Sequence, residues 1–172
     1  MSVKKFTFIL LCFLCLSFFT VGCSDSSNLP QSEEDNTPKS NSENSVVATI
    51  YTSDKNAENL VNKEVTLSEI TANTIFEELK NVDIIVPDTK LNKFDKYEDA
   101  DNQTVGIIDF SNEFYNFNLG SSYESIMLDS IAKTYIENFN LDKFKILVNG
   151  EEYQSGHILF DDDDYFTKDC FN

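Results

Sequence analysis

The sequence predicts an α+β domain, in which two helices pack on one face of a three- to five-stranded mixed sheet in a βαββαβ-like order. Three observations lead to this class. A β-rich run opens at Val46, an apolar stripe with helical spacing lies between Leu128 and Phe139, and a late strand ends in Asn149-Gly150. Strands and helices that succeed one another in this way favour helices layered on a sheet.

The first strand is predicted from Val46 to Tyr51. It is apolar on both faces, which is typical of a central strand. Lys63 to Leu67 predicts a short extended segment that leads into a helix. Thr71 suits the N-cap of that helix, which carries apolar residues at helical spacing as far as Lys80.

A hairpin is predicted next. Pro87 cannot donate to a strand ladder, so it marks a turn into a strand from about Lys90 to Tyr97. The acidic stretch 98–102 predicts the hairpin loop, and Thr104 to Phe110 predicts the partner strand.

The second helix has the strongest pattern. Its start, Ser121-Ser122-Tyr123-Glu124, fits a capping box. A stripe wide enough to pack on a sheet follows, formed by Leu128, Ile131, Ala132, Tyr135, Ile136 and Phe139. The last strand is predicted from Phe144 to Val148, with a hairpin turn at Asn149-Gly150 and Ile158 to Phe160 as the candidate returning strand.

Residues 1–22 are predicted to be a lipoprotein signal peptide. Two lysines precede an apolar run, Phe6 to Val21, that is short of the about 20 residues a membrane span needs. Thr20-Val21-Gly22-Cys23 resembles a bacterial lipobox, although Thr20 departs from the usual residue there. We therefore expect lipidation at Cys23, with a fatty acyl group such as palmitate. Cleavage of another type or an uncleaved anchor are the alternatives.

The lipid anchor determines the expected location. Acyl chains on Cys23 would hold the protein in membrane lipid on the extracytoplasmic face of the cell membrane. Residues 23–45 are predicted to be the lipidated cysteine and a disordered polar tether, because Leu29 is the only large apolar residue between positions 24 and 45. The folded domain is expected at 46–172.

The net charge limits the classes of molecule that this protein is expected to bind. The net charge is −17, from 30 acidic residues against 13 basic ones, all of which are lysine. Nucleic acid is excluded as a partner, because phosphate binding needs a basic surface and usually arginine. We expect an envelope or membrane protein as partner, with self-assembly as a further possibility.

The residues that carry chemistry are few. His157 is the only histidine, and Cys170 is the only cysteine that remains beyond Cys23, so neither a nucleophile–base pair nor a zinc site is expected. No cofactor is predicted. Cys170 either cross-links two copies or a partner, or is a free thiol at a frayed end. Asp161 and Asp163, within four consecutive aspartates, are weak calcium candidates against the alternative of a solvated acidic loop.

Four residues are candidates for partner contact. Asp109 is a carboxylate within an apolar strand, so it either accepts backbone or Ser111 hydrogen bonds or lies at the rim of a contact surface. Phe114, Tyr115 and Phe117 form an aromatic cluster that would anchor a partner where its rings are exposed.

Several segments, in their order and spacing, resemble the GerMN domain family of spore germination and sporulation proteins over about residues 46–166. They are Val47-Ala48-Thr49-Ile50-Tyr51, Ile85-Val86-Pro87-Asp88-Thr89-Lys90-Leu91, Val105-Gly106-Ile107-Ile108-Asp109-Phe110-Ser111 with Phe114, Ala132-Lys133-Thr134-Tyr135, Ile146-Leu147-Val148-Asn149-Gly150-Glu151 and Gly156-His157-Ile158. The acidic ending, Asp161 to Asp164, and the spacer between Glu58 and Thr71 depart from the family pattern.

The resemblance implies a fold similar to the ring-building modules of sporulation machines, and no catalytic activity. We therefore expect a membrane-tethered, non-enzymatic binding or assembly module in sporulation, germination or envelope processes. The alternative is a cell-surface sensor whose acidic loops respond to calcium or a small ligand.

Overall fold

The structure is a computed structural model that describes residues 45–117 and 120–171. The predicted signal peptide, the lipidation site Cys23 and nearly all of the tether lie outside the described residues. No helix within the described ranges is both long and apolar enough to cross a membrane.

The chain begins with an antiparallel hairpin of β1 (Val46–Ser53) and β2 (Leu60–Leu67). The extended segment predicted at 63–67 is thus part of a longer strand. The prediction that β1 is a central strand was wrong, because β1 and β2 form a sheet of their own. Ala48 and Ile50 are nevertheless fully buried, since they enter the common core beneath the helices.

The free edge of β1 is covered by side chains of a helix. Asn138 accepts a hydrogen bond from the Thr49 backbone nitrogen (3.1 Å) and donates one to the Thr49 carbonyl (2.7 Å). Thr134 accepts one from the Tyr51 backbone nitrogen (2.9 Å). The helix therefore supplies the bonds that a neighbouring strand would make, and this explains how a strand outside the main sheet looks central in sequence.

Helix α1 spans Ala72–Asn81 and is capped as predicted. The Thr71 hydroxyl accepts from the Thr74 backbone nitrogen, and the Thr74 hydroxyl accepts from that of Thr71, which forms a reciprocal capping box. Ile75, Phe76 and Leu79 are buried on its inner face.

Strands β3 (Leu91–Glu98) and β4 (Thr104–Phe110) form the predicted antiparallel hairpin. Asp99 shapes its loop by accepting backbone hydrogen bonds from Asp101 and Gln103. The bond from Gln103, followed by the Lys143 ammonium 3.0 Å away, holds the pKa of Asp99 below its ordinary value.

Helix α2 (Ser121–Phe139) follows a short 3-10 helix, Asn112–Asn116. The predicted capping box at its start was wrong. The N-cap is Gly120, which makes no side-chain cap, and Glu124 is buried, where it accepts a hydrogen bond from the Tyr153 hydroxyl at 2.6 Å. A tertiary bond to the carboxylate has thus replaced the local one. The predicted apolar stripe faces the core, with Phe139 only partly buried.

Strand β5 (Lys143–Val148) runs parallel to β4. The predicted Asn149-Gly150 turn returns at once into β6 (Glu151–Glu152), and both turn residues have positive φ. The prediction that Ile158 to Phe160 pairs with β5 was wrong, because β6 occupies that place and Leu159 bridges Gln154 instead. β7 (Phe166–Thr167) pairs with the other end of β5, and a 3-10 helix, Lys168–Phe171, follows.

The predicted α+β class is confirmed. The main sheet is five-stranded and mixed, in the order β3-β4-β5-β6, with β7 also on β5. Both helices lie on one face of it, since Phe76 of α1 stacks on Phe110 of β4 (5.8 Å) and Tyr135 of α2 on Phe144 of β5 (5.2 Å). One apolar core joins the sheet, the helices and β1.

Candidate binding groove at the outer edge of β5

Asp109 lies where β4 and the β5–β6 turn meet. Its carboxylate accepts a hydrogen bond from the Gly150 backbone nitrogen (2.8 Å) and one from the Asn92 side chain (3.2 Å). Ser111, which we considered as a partner, instead accepts from the Lys90 nitrogen. Asp109 therefore joins the ends of three strands at the half-exposed rim of the sheet.

The predicted aromatic cluster lies mostly in the interior. Phe114 is fully buried between Phe110 (4.7 Å) and Phe117 (6.1 Å between ring centroids), so it is not available to a partner. Tyr115 and Phe117 are half-buried. Tyr115 uses its hydroxyl to accept a hydrogen bond from the Gln154 nitrogen. The cluster therefore fixes the segment after β6 against the core.

The row of rings continues through Tyr153 into the C-terminal segment. The Tyr153 ring lies 6.0 Å from Phe114 and 5.9 Å from Phe160, and Phe160 meets Phe166 edge-to-face at 5.4 Å. Burial, followed by the bond to Glu124, raises the pKa of Tyr153 far above its ordinary value, so its hydroxyl keeps its proton and donates a hydrogen bond to Glu124. The row thus ends at the pair Phe160 and Phe166.

A gap in strand pairing opens a hollow beside this pair. β7 pairs with residues 143 and 144 of β5, and β6 with residues 147 and 148, so no described strand pairs with the outer edge of β5 at Lys145 and Ile146. The chain between β6 and β7 passes over this gap as a loop. The resulting main hollow has a volume of about 310 Å³ and is lined by Lys145, Ile146, Leu159, Phe160, Asp164, Tyr165, Phe166 and Cys170.

Lys145 forms the inner wall of the main hollow and is only 5% exposed. Its ammonium lies 2.9 Å from a Glu152 carboxylate oxygen and donates to the Asp162 carbonyl. It also lies 4.5 Å from the centre of the Tyr165 ring. Because its charge is balanced by Glu152, the main hollow presents chiefly apolar surface to a ligand.

A side hollow of about 180 Å³ lies against α2, and Phe160 and Phe166 line both hollows. Its other lining residues are Ser125, Leu128, Asp129 and Ile158. We call the two hollows together the β5 groove. Asp129 is its least expected member, because burial raises the pKa of this carboxyl above the ordinary value.

The rim of the β5 groove is apolar and accessible. Leu159 is 63% exposed, more than any other large hydrophobic side chain among the described residues. Cys170, also on the rim, is a free exposed thiol. An exposed leucine at the mouth of an apolar groove is typical of a contact surface.

The acidic run is a surface turn. The Asp161 backbone nitrogen donates to the Asp164 carboxylate at 2.8 Å, and the Asp161 carbonyl accepts from the Asp164 nitrogen, while Asp163 is exposed. Within residues 45–117 and 120–171, no three His, Cys, Asp or Glu side chains converge to hold a metal ion. His157 is exposed in the nearby loop.

Sequence reasoning missed the β5 groove. The sequence predicts a returning strand at Leu159, and Asp129 lies beside the apolar stripe of α2, where it gives no sign of a groove. One signal was available, because the acidic loop is followed by the aromatic residues Tyr165 and Phe166, which predicts that the segment returns to the core.

The geometry defines a class of protein, a small α+β domain with both helices on one face of a mixed sheet and a groove along its last long strand. The chain belongs to the Germane family, described as "Sporulation and spore germination", whose sequence model matches residues 35–154. The resemblance seen in the sequence is therefore confirmed. Comparison with curated proteins finds no match.

Two solved structures share the fold. The first GerMN domain of the sporulation protein GerM from Bacillus subtilis is 24% identical, with a TM-score of 0.53 over 72% of this chain and 98% of that domain. The tandem GerMN domains of the same protein are 24% identical, with a TM-score of 0.54 over 70% of this chain. The match spans 46% of that tandem chain, so this chain corresponds to about half its length.

Proposed function

We propose that this protein is a membrane-tethered, extracytoplasmic binding or assembly module of sporulation or germination, without catalytic activity of its own. The observation that supports it most directly is the β5 groove, an apolar recess with exposed Leu159 at its mouth in a chain of the sporulation family. An apolar recess with an accessible anchor residue suits protein contact.

The reactive side chains in and near the groove favour binding over catalysis. Lys145 is neutralised by Glu152 and held against Tyr165, so it is not a free general base or nucleophile. Cys170 on the rim lies within 3.6 Å of the Thr167 hydroxyl, and the one histidine, His157, is exposed in the 154–159 loop and does not line the groove.

The anchor completes the proposal. Acylated Cys23 and the polar tether would keep the domain close above the membrane, within reach of other membrane and envelope proteins. Tethering raises the effective concentration of the domain at that surface, so a modest affinity for a partner suffices.

Proximity cross-linking in the native cells, followed by mass spectrometry, tests this function. Wild type is compared with Cys23→Ala, and Ser26→Ala, in the predicted tether, is the matched control. We expect specific envelope or membrane proteins from wild type and Ser26→Ala, and their loss from Cys23→Ala. Recovery of only background proteins from wild type contradicts a binding module.

A further inference from the structure

Asp129 is a carboxylate left without a partner in an apolar hollow. Among the described residues it makes no hydrogen bond and no ion pair, and the other side chains that line the side hollow are uncharged. The hollow is otherwise lined by Ser125, Leu128, Ile158 and the rings of Phe160 and Phe166. Because Asp129 is half-buried, this charge is partly desolvated in the free protein, and a cation placed beside it would offset that cost.

The residue that ordinarily pairs with Asp129 points elsewhere. Lys133 stands four positions further along α2, where it would form an ion pair across one helical turn. Its ammonium instead lies over the rings of Tyr51 (4.8 Å) and Phe171 (5.5 Å). The structure thus keeps the Asp129 carboxylate free toward the side hollow.

The walls of the side hollow specify the chemistry of a ligand. A cation gains from the faces of Phe160 and Phe166, and an alkyl stem gains from the apolar wall. About 180 Å³ is ample for such a stem, since a single water needs only about 10–15 Å³ of this kind of volume. A guanidinium is less suited, because its five donors would meet only the Asp129 carboxylate and the Ser125 hydroxyl among apolar groups.

We infer that the side hollow of the β5 groove receives a lysine side chain of the partner protein, with its ammonium on Asp129 and its methylenes against Phe160 and Phe166. The inference rests on the proposed function and names the partner's chemistry. The net charge of −17 favours a partner with a basic contact surface. The lysine supplies charge pairing, and Leu159 supplies apolar contact at the rim.

The test is a titration of the full-length chain in detergent micelles with short peptides of the form acetyl-Gly-Gly-X-Gly-Gly-amide, whose blocked ends carry no charge. X is lysine, norleucine or arginine, and saturation-transfer NMR reports binding. Norleucine keeps the stem and removes the charge. We expect the lysine peptide to bind at least about tenfold more tightly than the norleucine peptide, which is the size of one charged hydrogen bond.

Three variants make the test specific. Asp129→Asn should abolish the preference for lysine, Asp129→Glu should restore part of it, and Asp88→Asn, at an exposed aspartate, should leave it unchanged. Thermal unfolding verifies that each variant is folded. Equal affinity for lysine and norleucine, or a lysine preference that survives Asp129→Asn, overturns the inference. Tighter binding of arginine than of lysine also overturns it.

The peptide titration and the cross-linking experiment in cells can fail independently of each other. If cells yield specific cross-links but the lysine preference is absent, the inference fails and the binding module stands. If free n-butylammonium binds as tightly as the lysine peptide and cells yield no cross-linked protein, the hollow serves a small amine, and the protein partner is refuted.

Discussion

Single polar side chains of α2 hold the hairpin β1–β2 in place. Asn138 satisfies both backbone groups of Thr49, and Thr134 satisfies the Tyr51 nitrogen. These bonds are partly or fully buried, so water cannot replace them well. Because the Asn138 side chain takes the place of a neighbouring strand, few other residues at position 138 could make both bonds.

We predict that Asn138→Ala lowers the free energy of unfolding by about 1–3 kcal/mol, because it leaves partly buried backbone groups unpaired. Chemical denaturation measures the change. Asn116→Ala, at an exposed asparagine, is the matched control. A loss no larger than that of the control would show that water or another group takes over the bonds of Asn138.

Gly106 is required by close packing. A Cβ at this position would lie 2.5 Å from Leu141 Cδ1 and 3.3 Å from Phe144 Cδ2, and both neighbours are fully buried. We predict that Gly106→Ala destabilises the domain by about 1–3 kcal/mol through overpacking. Gly156→Ala, where a Cβ meets open space, should change little.

Adding Leu141→Ala to Gly106→Ala tests the cause. If overpacking against Leu141 is responsible, the double variant loses less than the sum of the two single losses, because each change relieves the other. Additive losses in thermal or chemical unfolding would contradict the packing explanation.

Asp129 gives a pH-dependent prediction. Burial raises its pKa in the folded state above the unfolded value, so the folded protein holds a proton that the unfolded chain releases. Stability therefore falls as pH rises from the unfolded pKa through the folded pKa. Asp129→Asn should remove this loss, so its melting temperature relative to wild type should be higher at pH 7 than at pH 3. Asp88→Asn, at an exposed aspartate, is the control.

A shift of equal size at both pH values, or a lower relative melting temperature at pH 7, would contradict the burial of a free carboxylate at Asp129. The result also bears on the groove. A carboxylate that lowers the stability of the free protein is unpaired there, so a ligand can bind it.

At the scale of elements, local signals predicted most of the secondary structure. Thr71 begins α1 as expected, the strand at 104–110 is found with the predicted bounds, and Asn149-Gly150 makes its turn. Each of these depends on residues close in sequence, such as a cap, a continuous apolar run or a turn pair that adopts positive φ.

The errors arose where distant contacts decided the outcome. Glu124 looked like a capping residue, yet it bonds Tyr153, and β1 looked central, yet its second edge is covered by a helix. The groove is a stronger case, because it exists only where β6 and β7 leave the middle of β5 unpaired. Tyr165 and Phe166 indicate that the segment returns to the core, but no residue near Leu159 or Asp129 indicates where the pairing with β5 stops.

At the scale of the whole molecule, the proposal combines a lipid anchor, a polar tether and one domain with a groove. We predict that wild type sediments with membranes and that Cys23→Ala shifts to the soluble fraction, because it lacks the acyl chains. Fractionation with immunoblotting measures this, with Cys170→Ala as control. Equal membrane retention of Cys23→Ala would indicate an uncleaved signal anchor instead.

The central claim is that the β5 groove is the surface that meets a partner. A photoreactive amino acid replaces Leu159 at the groove in one strain and Val47, which is 58% exposed on the hairpin, in another. After irradiation of living cells, we predict a discrete cross-linked protein from position 159 and none from position 47. The same adduct from both positions, or an adduct from position 47 alone, would contradict the assignment of the groove.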